Sequence, residues 1–287
     1  MFTTLVDGLS LGAIYALIAL GYTMVYGIAK LLNFAHGDII MVGAYTVFST
    51  LMLSSDLMTK ILAIVLSVVV CTVLGIVVEK IAYRPLRGAS PLAVLITAIG
   101  VSYLLQGIAQ LVFGAKSHPV DFSIQGTIGD VKYSTIVTLA VATVIMIVLT
   151  LFVKFTRVGR AMIAVSEDKG ASQLMGINVN GIITLTFAIG SALAAFASVF
   201  YLMQIPATSP TLGSMPGIKA FTAAVIGGIG SIPGAMLGGI LLGIIEKICL
   251  SIPELSPFTT AIEFSLLILI LLVKPTGLLG KKRREKV

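Results

Sequence analysis

An all-α fold, built as a polytopic transmembrane helical bundle, is what this sequence predicts, and three observations carry that prediction. First, 57% of its 287 residues are hydrophobic and 11% are charged, less than half the ~25% that a soluble domain carries. Second, the apolar residues gather into runs close to the ~20 residues that cross a ~30 Å hydrocarbon core as a helix. Third, most lysines and arginines fall between those runs or after the last of them, where they set orientation.

About seven full spans follow in order, near 8–28, 37–54, 61–82, 91–114, 134–154, 181–203 and 258–274. No basic residue precedes the first, so it reads as an uncleaved insertion signal rather than a cleaved leader. The loop near 80–88 carries Lys80, Arg84 and Arg87, and that near 154–169 carries Lys154, Arg157, Arg160 and Lys169. The tail 281–287 holds Lys281, Lys282, Arg283, Arg284 and Lys286. The excess of lysine and arginine makes these three segments cytoplasmic, which leaves the N-terminus and the loop 115–133 outside.

One further apolar stretch, 217–250, is cut by Gly227-Gly-Ile-Gly-Ser-Ile-Pro-Gly234. Parity requires it to go in and come back, and its first arm is too short for an untilted crossing. It is expected to form a glycine-broken re-entrant or short helix pair meeting at Gly227–Gly234. Irregular backbone at that depth is tolerated where it is buried in protein or lines a wet cavity, so Gly227, Gly228 and Gly230 are candidate pathway residues.

A second candidate is Leu31-Leu-Asn-Phe-Ala-His-Gly-Asp38, where polar residues interrupt an apolar stretch. Asp38 reads as the N-cap of the following span, with His36 and Asp38 hydrogen-bonding locally. Two readings of Asn33, His36, Gly37 and Asp38 stand side by side: an ordinary capped turn, or a discontinuous helix whose backbone dipoles face a polar substrate.

The segment 157–180 is the longest polar stretch expected on the inner side. Ser166-Glu-Asp-Lys reads as a helix start, with Ser166 as N-cap and Glu167 and Asp168 favoured by the helix dipole. Ala171, Leu174 and Met175 continue an apolar face, and Gly176 is placed as a C-cap. This short surface helix is either a plain connector or a docking element for a peripheral partner.

Several classes of function are excluded. Only two histidines, His36 and His118, are present, and no His-Glu-x-x-His, Gly-x-Ser-x-Gly or Walker A pattern occurs, so neither catalysis nor ATP binding is expected. Cys71 and Cys249 lie far apart inside apolar runs and build neither a disulfide framework nor a zinc site. No cofactor or metal is expected, and the net charge of +7 does not signal nucleic acid, because no basic–aromatic interleaving accompanies it. Glu79 and Lys80 lie near an inner span end, and Glu246, Lys247 and Glu263 near outer ends. Asp38 is thus the one candidate ionisable group at depth, an argument against ion-coupled transport. Gly8-x-x-x-Gly12, Gly234-x-x-x-Gly238 and Gly239-x-x-x-Gly243 are read as close packing within the chain.

Four segments, in order, carry a family resemblance. They are Gly8-Leu-Ser-Leu-Gly-Ala-Ile-Tyr-Ala-Leu-Ile-Ala-Leu-Gly-Tyr22, Asn33-Phe-Ala-His-Gly-Asp38, Ser166-Glu-Asp-Lys-Gly-Ala-Ser-Gln-Leu-Met-Gly-Ile-Asn178 and Ala223-Ala-Val-Ile-Gly-Gly-Ile-Gly-Ser-Ile-Pro-Gly-Ala235. Over essentially its full length the chain resembles LivH-type permease subunits of branched-chain amino acid ABC importers. The third segment usually begins Ala-Glu-Asp in that family, and Ser166 stands in place of the alanine. The resemblance implies a permease domain over 1–280, with an ATPase-docking loop at 156–180 contributed by Ser166, Glu167, Asp168, Ala171 and Gly176. It also implies a second related permease chain, two ATP-binding-cassette subunits, an extracytoplasmic solute-binding protein and a bacterial-type inner membrane. Leucine, isoleucine and valine are the implied substrates; relatives that carry amides, urea or other amino acids are the alternative, and an ion-coupled carrier is a more distant one.

Overall fold

The computed structural model describes residues 2–31, 33–124 and 126–280; the basic tail read at 281–287 lies outside them. Among the described residues the chain is helical almost throughout: α1 (Phe2–Ala29), α2 (His36–Leu51), α3 (Leu57–Val78), α4 (Pro91–Phe113), α5 (Tyr133–Phe155), α6 (Arg157–Glu167), α7 (Lys169–Leu174), α8 (Val179–Gln204), α9 (Ser214–Gly227), α10 (Ile232–Ser251) and α11 (Thr259–Val273). Four two-residue strands, β1 (His118–Pro119), β2 (Thr127–Ile128), β3 (Val131–Lys132) and β4 (Ala207–Thr208), pair as β1 with β4 and β2 with β3, both antiparallel.

Among the described residues seven helices are long and apolar enough to cross a bilayer: α1, α3 with its extension to Leu86, α4, α5, α8, α10, and α11 with the preceding turn from Ser256. The span expected at 37–54 is a helix of 16 residues, shorter than a crossing. The second arm of 217–250, in contrast, is the 20-residue α10, while the first is the 14-residue α9. The broken pair is therefore one short helix and one full-length helix.

Helix α1 forms the axis of the bundle, and 94% of its most apolar window is buried. It packs along α10, α8, α9 and α5. Close approach to α10 rests on the glycine pairs read in the sequence. A methyl group on Gly12 would meet the Ile240 backbone at 2.7 Å, and one on Gly243 or Gly239 would overlap the backbone of Gly12 or Ala16. Small residues let dispersion act backbone to backbone where lipid supplies no hydrophobic drive between helices. By contrast α11 is a helix of Leu, Ile and Val facing outward, with Thr259 and Glu263 its buried residues.

The bundle has two distinct ends. At one, the α4–α5 loop meets the chain after α8 through the β1–β4 pair, His118 stacks near Phe48 at 4.9 Å, and Thr135 donates to Asp7. At the other lie Lys30, Arg84, Arg87, Arg157, Arg160, Lys169 and Lys274; this basic end carries α6 and α7. Near it the third span widens into a π-helical turn, Glu79–Tyr83, in which Glu79 and Tyr83 are fully buried. Buried Glu79 pairs with Arg87 and accepts from Thr184 Oγ1 at 2.7 Å.

Candidate functional site

Helix α1 ends at the basic end, where Lys30 takes a left-handed conformation (φ 62°) and reverses the chain. The chain then re-enters the bundle, and α2 begins at His36. The His36 ring packs over Gly21, where any side chain would overlap it. Gly21 lies eight residues before the end of α1, so α2 starts roughly 12 Å up the bundle at 1.5 Å per residue. On the other side the chain leaves β4 and descends through 209–213 before α9 begins at Ser214.

These two descents meet. A methyl group on Gly213 would overlap the Gly37 carbonyl, and one on Gly37 would overlap the Gly213 carbonyl. From this junction α2 runs to the β-strand end and α9 to the basic end, so both positive helix termini point at the same place. Asp38 lies there in the first turn of α2. Its Oδ1 accepts from Gln106 Nε2 at 2.8 Å, and the same amide group reaches Ser102 Oγ at 3.3 Å and Ser214 Oγ at 3.4 Å. Helices α2 and α9 thus contribute one side chain each, and α4 two, to a polar knot deep in an apolar bundle.

Below the knot, Tyr22 stacks edge-on against His36 at 4.7 Å and against Phe221 at 5.8 Å. Asn33 Oδ1 accepts from Tyr83 Oη at 2.7 Å, while its Nδ2 has no protein partner. A cavity of about 10 Å³ lined by Tyr22, Tyr26, Asn33 and Phe221 lies alongside, room for about one water. Above the knot, a groove of about 380 Å³ opens between α2 and α4, lined by Tyr45, Thr46, Ser49, Leu105, Ala109 and Phe113 among others.

Several sequence expectations change. Asp38 is not the N-cap of α2, because the helix already starts at His36; it is a first-turn acid bonded across to α4. Nor do His36 and Asp38 bond to each other: the imidazole lies beside the Ile18 carbonyl and its Nε2 makes no hydrogen bond of good geometry. Gly227, Gly228 and Gly230 sit at the basic end, a full α9 away from Asp38. Gly230 faces Gly27, and Leu278 N and Leu279 N donate to Ile226 O and Gly227 O. The break at depth is instead 209–213, entered from β4, and Pro206, Pro210 and Gly213 in and just before it are its sequence signal.

In the surface segment, Ser166 is not an N-cap either. It closes the last turn of α6, and Asp168 caps α7 by accepting from Ala171 N at 2.9 Å. Gly176 does end α7, with φ 80°, Gly176 N bonded to Gln173 O and Ile177 N to Ser172 O; that pair of bonds needs a left-handed residue, which glycine supplies. Leu174 and Met175 are almost fully exposed at its tip. Lys169 Nζ donates to Ala29 O at 2.8 Å, on the last turn of α1.

Charge at depth is richer than the sequence pattern indicates. Lys219, inside α9, contacts Glu246 Oε1 at 2.7 Å and Glu263 Oε2 at 3.2 Å, and Tyr15 Oη donates to Glu246 Oε2 at 2.7 Å. Glu246 and Glu263, read as near span ends, converge on the middle of α1 because α9 starts at mid-depth. No group of three or more His, Cys, Asp or Glu among the described residues is arranged to hold a metal.

Comparison with known proteins places these features in a family. Residues 4–273 match the family model described as the permease component of the branched-chain amino acid transport system. The chain is 44% identical to the high-affinity branched-chain amino acid transport system permease protein BraD of Pseudomonas aeruginosa, over 99% of this chain and 97% of that protein. It is 43% identical to the permease protein LivH of Escherichia coli K12, over 98% and 96%. Among solved structures, PsaBC from Streptococcus pneumoniae matches with a TM-score of 0.45 and 18% identity, over 96% of this chain and 90% of that one.

Proposed function

We propose, from the premise that this chain belongs to the branched-chain amino acid transport permease family, that its substrate passes the junction of α2 and α9. The chain is a permease component for branched-chain amino acids. In this reading it works as one half of an ATP-binding-cassette importer, beside a second related permease chain, two ATPase subunits and an extracytoplasmic binding protein. The basic end faces the cytoplasm, which puts the N-terminus outside and the C-terminus inside.

The observation that carries the reading is the pair of broken helices. A discontinuous helix costs backbone hydrogen bonds in a bilayer and is tolerated where its ends are buried in protein or face a wet path. Here two such ends converge with Asp38, Gln106 and Ser214 between them. Asp38 offers a carboxylate to an ammonium group, and the helix termini offer partial positive charge to a carboxylate. Asn33, His36 and Gly37 shape the approach from the inside; Gly227, Gly228 and Gly230 close its cytoplasmic end.

Ser166, Glu167, Asp168, Ala171 and Gly176 belong to the segment proposed to receive the ATPase, with Leu174 and Met175 as its exposed apolar tip. Lys169 links this segment to the end of α1 and hence to the reversal at Lys30. Burial, and then the nearby charge of Arg87, push its ammonium below the usual lysine range. Lys169→Met is expected to cut leucine uptake several-fold while ATP hydrolysis and subunit assembly persist, and Lys169→Arg to retain most uptake. Equal loss of hydrolysis and uptake would make Lys169 a docking residue only.

The reading is tested by reconstituting this chain alone and with its partner subunits and internal ATP, and following radiolabelled leucine. Uptake confined to the full set with ATP is expected. Uptake by the lone chain under a proton or sodium gradient would favour an ion-coupled carrier, to which the buried charges around Lys219 would then belong.

A further inference from the structure

Four helices meet at one buried charged cluster that neither the pathway nor the docking segment uses. Lys219 lies on α9, Glu246 on α10, Glu263 on α11 and Tyr15 on α1. Tyr15 is thirteen residues into the 28-residue α1, roughly 20 Å from either end at 1.5 Å per residue, so the cluster is at mid-depth. Lys219 is 8% exposed and Glu263 not at all. Charges at that depth are costly and persist where they are paired inside the bundle.

The placement of each member is informative. Lys219 is five residues, about 7.5 Å, below the first residue of α9, on the same rigid helix as the terminus that meets Asp38. Helix α11 has only two buried residues, Thr259 and Glu263, so a carboxylate fixes a helix that otherwise shows leucine and isoleucine outward. Lys219 reaches Glu246 and Glu263 at the same time. At its far end α9 is bonded again, through Ile226 O and Gly227 O to the chain after α11. The junction with α2 differs: there backbone meets backbone at Gly37 and Gly213, and the Gln106–Ser214 bond crosses at 3.4 Å.

We infer that Lys219 is a positioning residue that pins α9 to α10 and α11 as one moving body, holding the α9 terminus in register with Asp38 while the α2–α9 seam opens and closes. The inference rests on the proposed pathway at that seam. A buried ion pair of this kind is a weak source of net stability, because desolvation offsets attraction, whereas losing one partner leaves an uncompensated charge. Neutralising all members together thus separates the pin from the fold.

The test uses the assembled importer in proteoliposomes. The triple variant Lys219→Met, Glu246→Gln, Glu263→Gln is expected to assemble at near wild-type abundance yet lose about tenfold in uptake, with more ATP hydrolysed per leucine carried. The swap Lys219→Glu with Glu246→Lys keeps one cation between two carboxylates and is expected to recover at least half of that loss. Wild-type uptake and stoichiometry in an assembled triple variant would overturn the inference. If the triple variant fails to assemble, the swap decides: recovered uptake supports the pin, and an assembled, inactive swap overturns it. Failure of the pathway reading is distinguishable, because it appears as unchanged uptake in Asp38 and Gln106 variants whatever Lys219 does.

Discussion

Asp38→Asn is expected to lower leucine uptake by about tenfold or more, the factor that roughly 1.4 kcal/mol of lost interaction produces. The substitution conserves shape, and the new amide oxygen still accepts from Gln106, whose bond to Asp38 is 2.8 Å. What disappears is the negative charge at two converging helix termini. If Asp38 served only to complement the dipole of α2, its loss would cost about 0.3–1 kcal/mol of stability and leave the transport rate per assembled complex unchanged. Uptake normalised to membrane abundance separates the two roles. A normalised rate equal to wild type would reduce Asp38 to a structural acid.

Gly213→Val is expected to abolish uptake. A Cβ at 213 overlaps the Gly37 carbonyl and stands 3.2 Å from Asp38 N, so a branched side chain must wedge α2 away from α9. Overpacking of this kind costs about 1–3 kcal/mol in a close-packed interior, and here it also disturbs the Gln106 amide that bonds both Asp38 and Ser214. Gly100→Ala and Gly107→Ala are the controls, since nothing lies within 4 Å of a Cβ at either position. Uptake near wild type in both controls, with loss in Gly213→Val, locates the sensitivity at the seam rather than in glycine content.

The two cases show what a sequence of this kind makes legible. Six of the seven span positions are readable because apolar run length answers directly to bilayer thickness, whereas the run at 37–54 is the short α2 and the seventh crossing is α10. The Asn33–Asp38 interruption stands out against those runs. The second break does not, because Pro206, Pro210 and Gly213 look like an ordinary loop between spans until α9 is seen to start at Ser214. The richer glycine run is the more conspicuous of the two in sequence, although Gly227–Gly230 forms a turn at the basic end. Lys219 is illegible in the sequence for a related reason: a single lysine in an apolar arm declares no partner, and Glu246 and Glu263 are distant along the chain. In the surface segment Ser166 and Asp168 are both good caps. The cap falls to Asp168 because Thr156 caps α6 twelve residues earlier, accepting from Gly159 N at 2.9 Å, which carries that helix through Ser166.

The central claim, that the α2–α9 junction lines the substrate path, is tested most directly by water access. Ser214→Cys is made in a chain whose Cys71 and Cys249 are replaced by serine, and the assembled importer is exposed to a charged, membrane-impermeant thiol reagent. Modification of Cys at 214, at a rate that changes between nucleotide-free and ATP-trapped complexes and that loaded binding protein slows, is the predicted result. A thiol at 214 that stays unmodified in both states of a complex still taking up leucine would contradict the account.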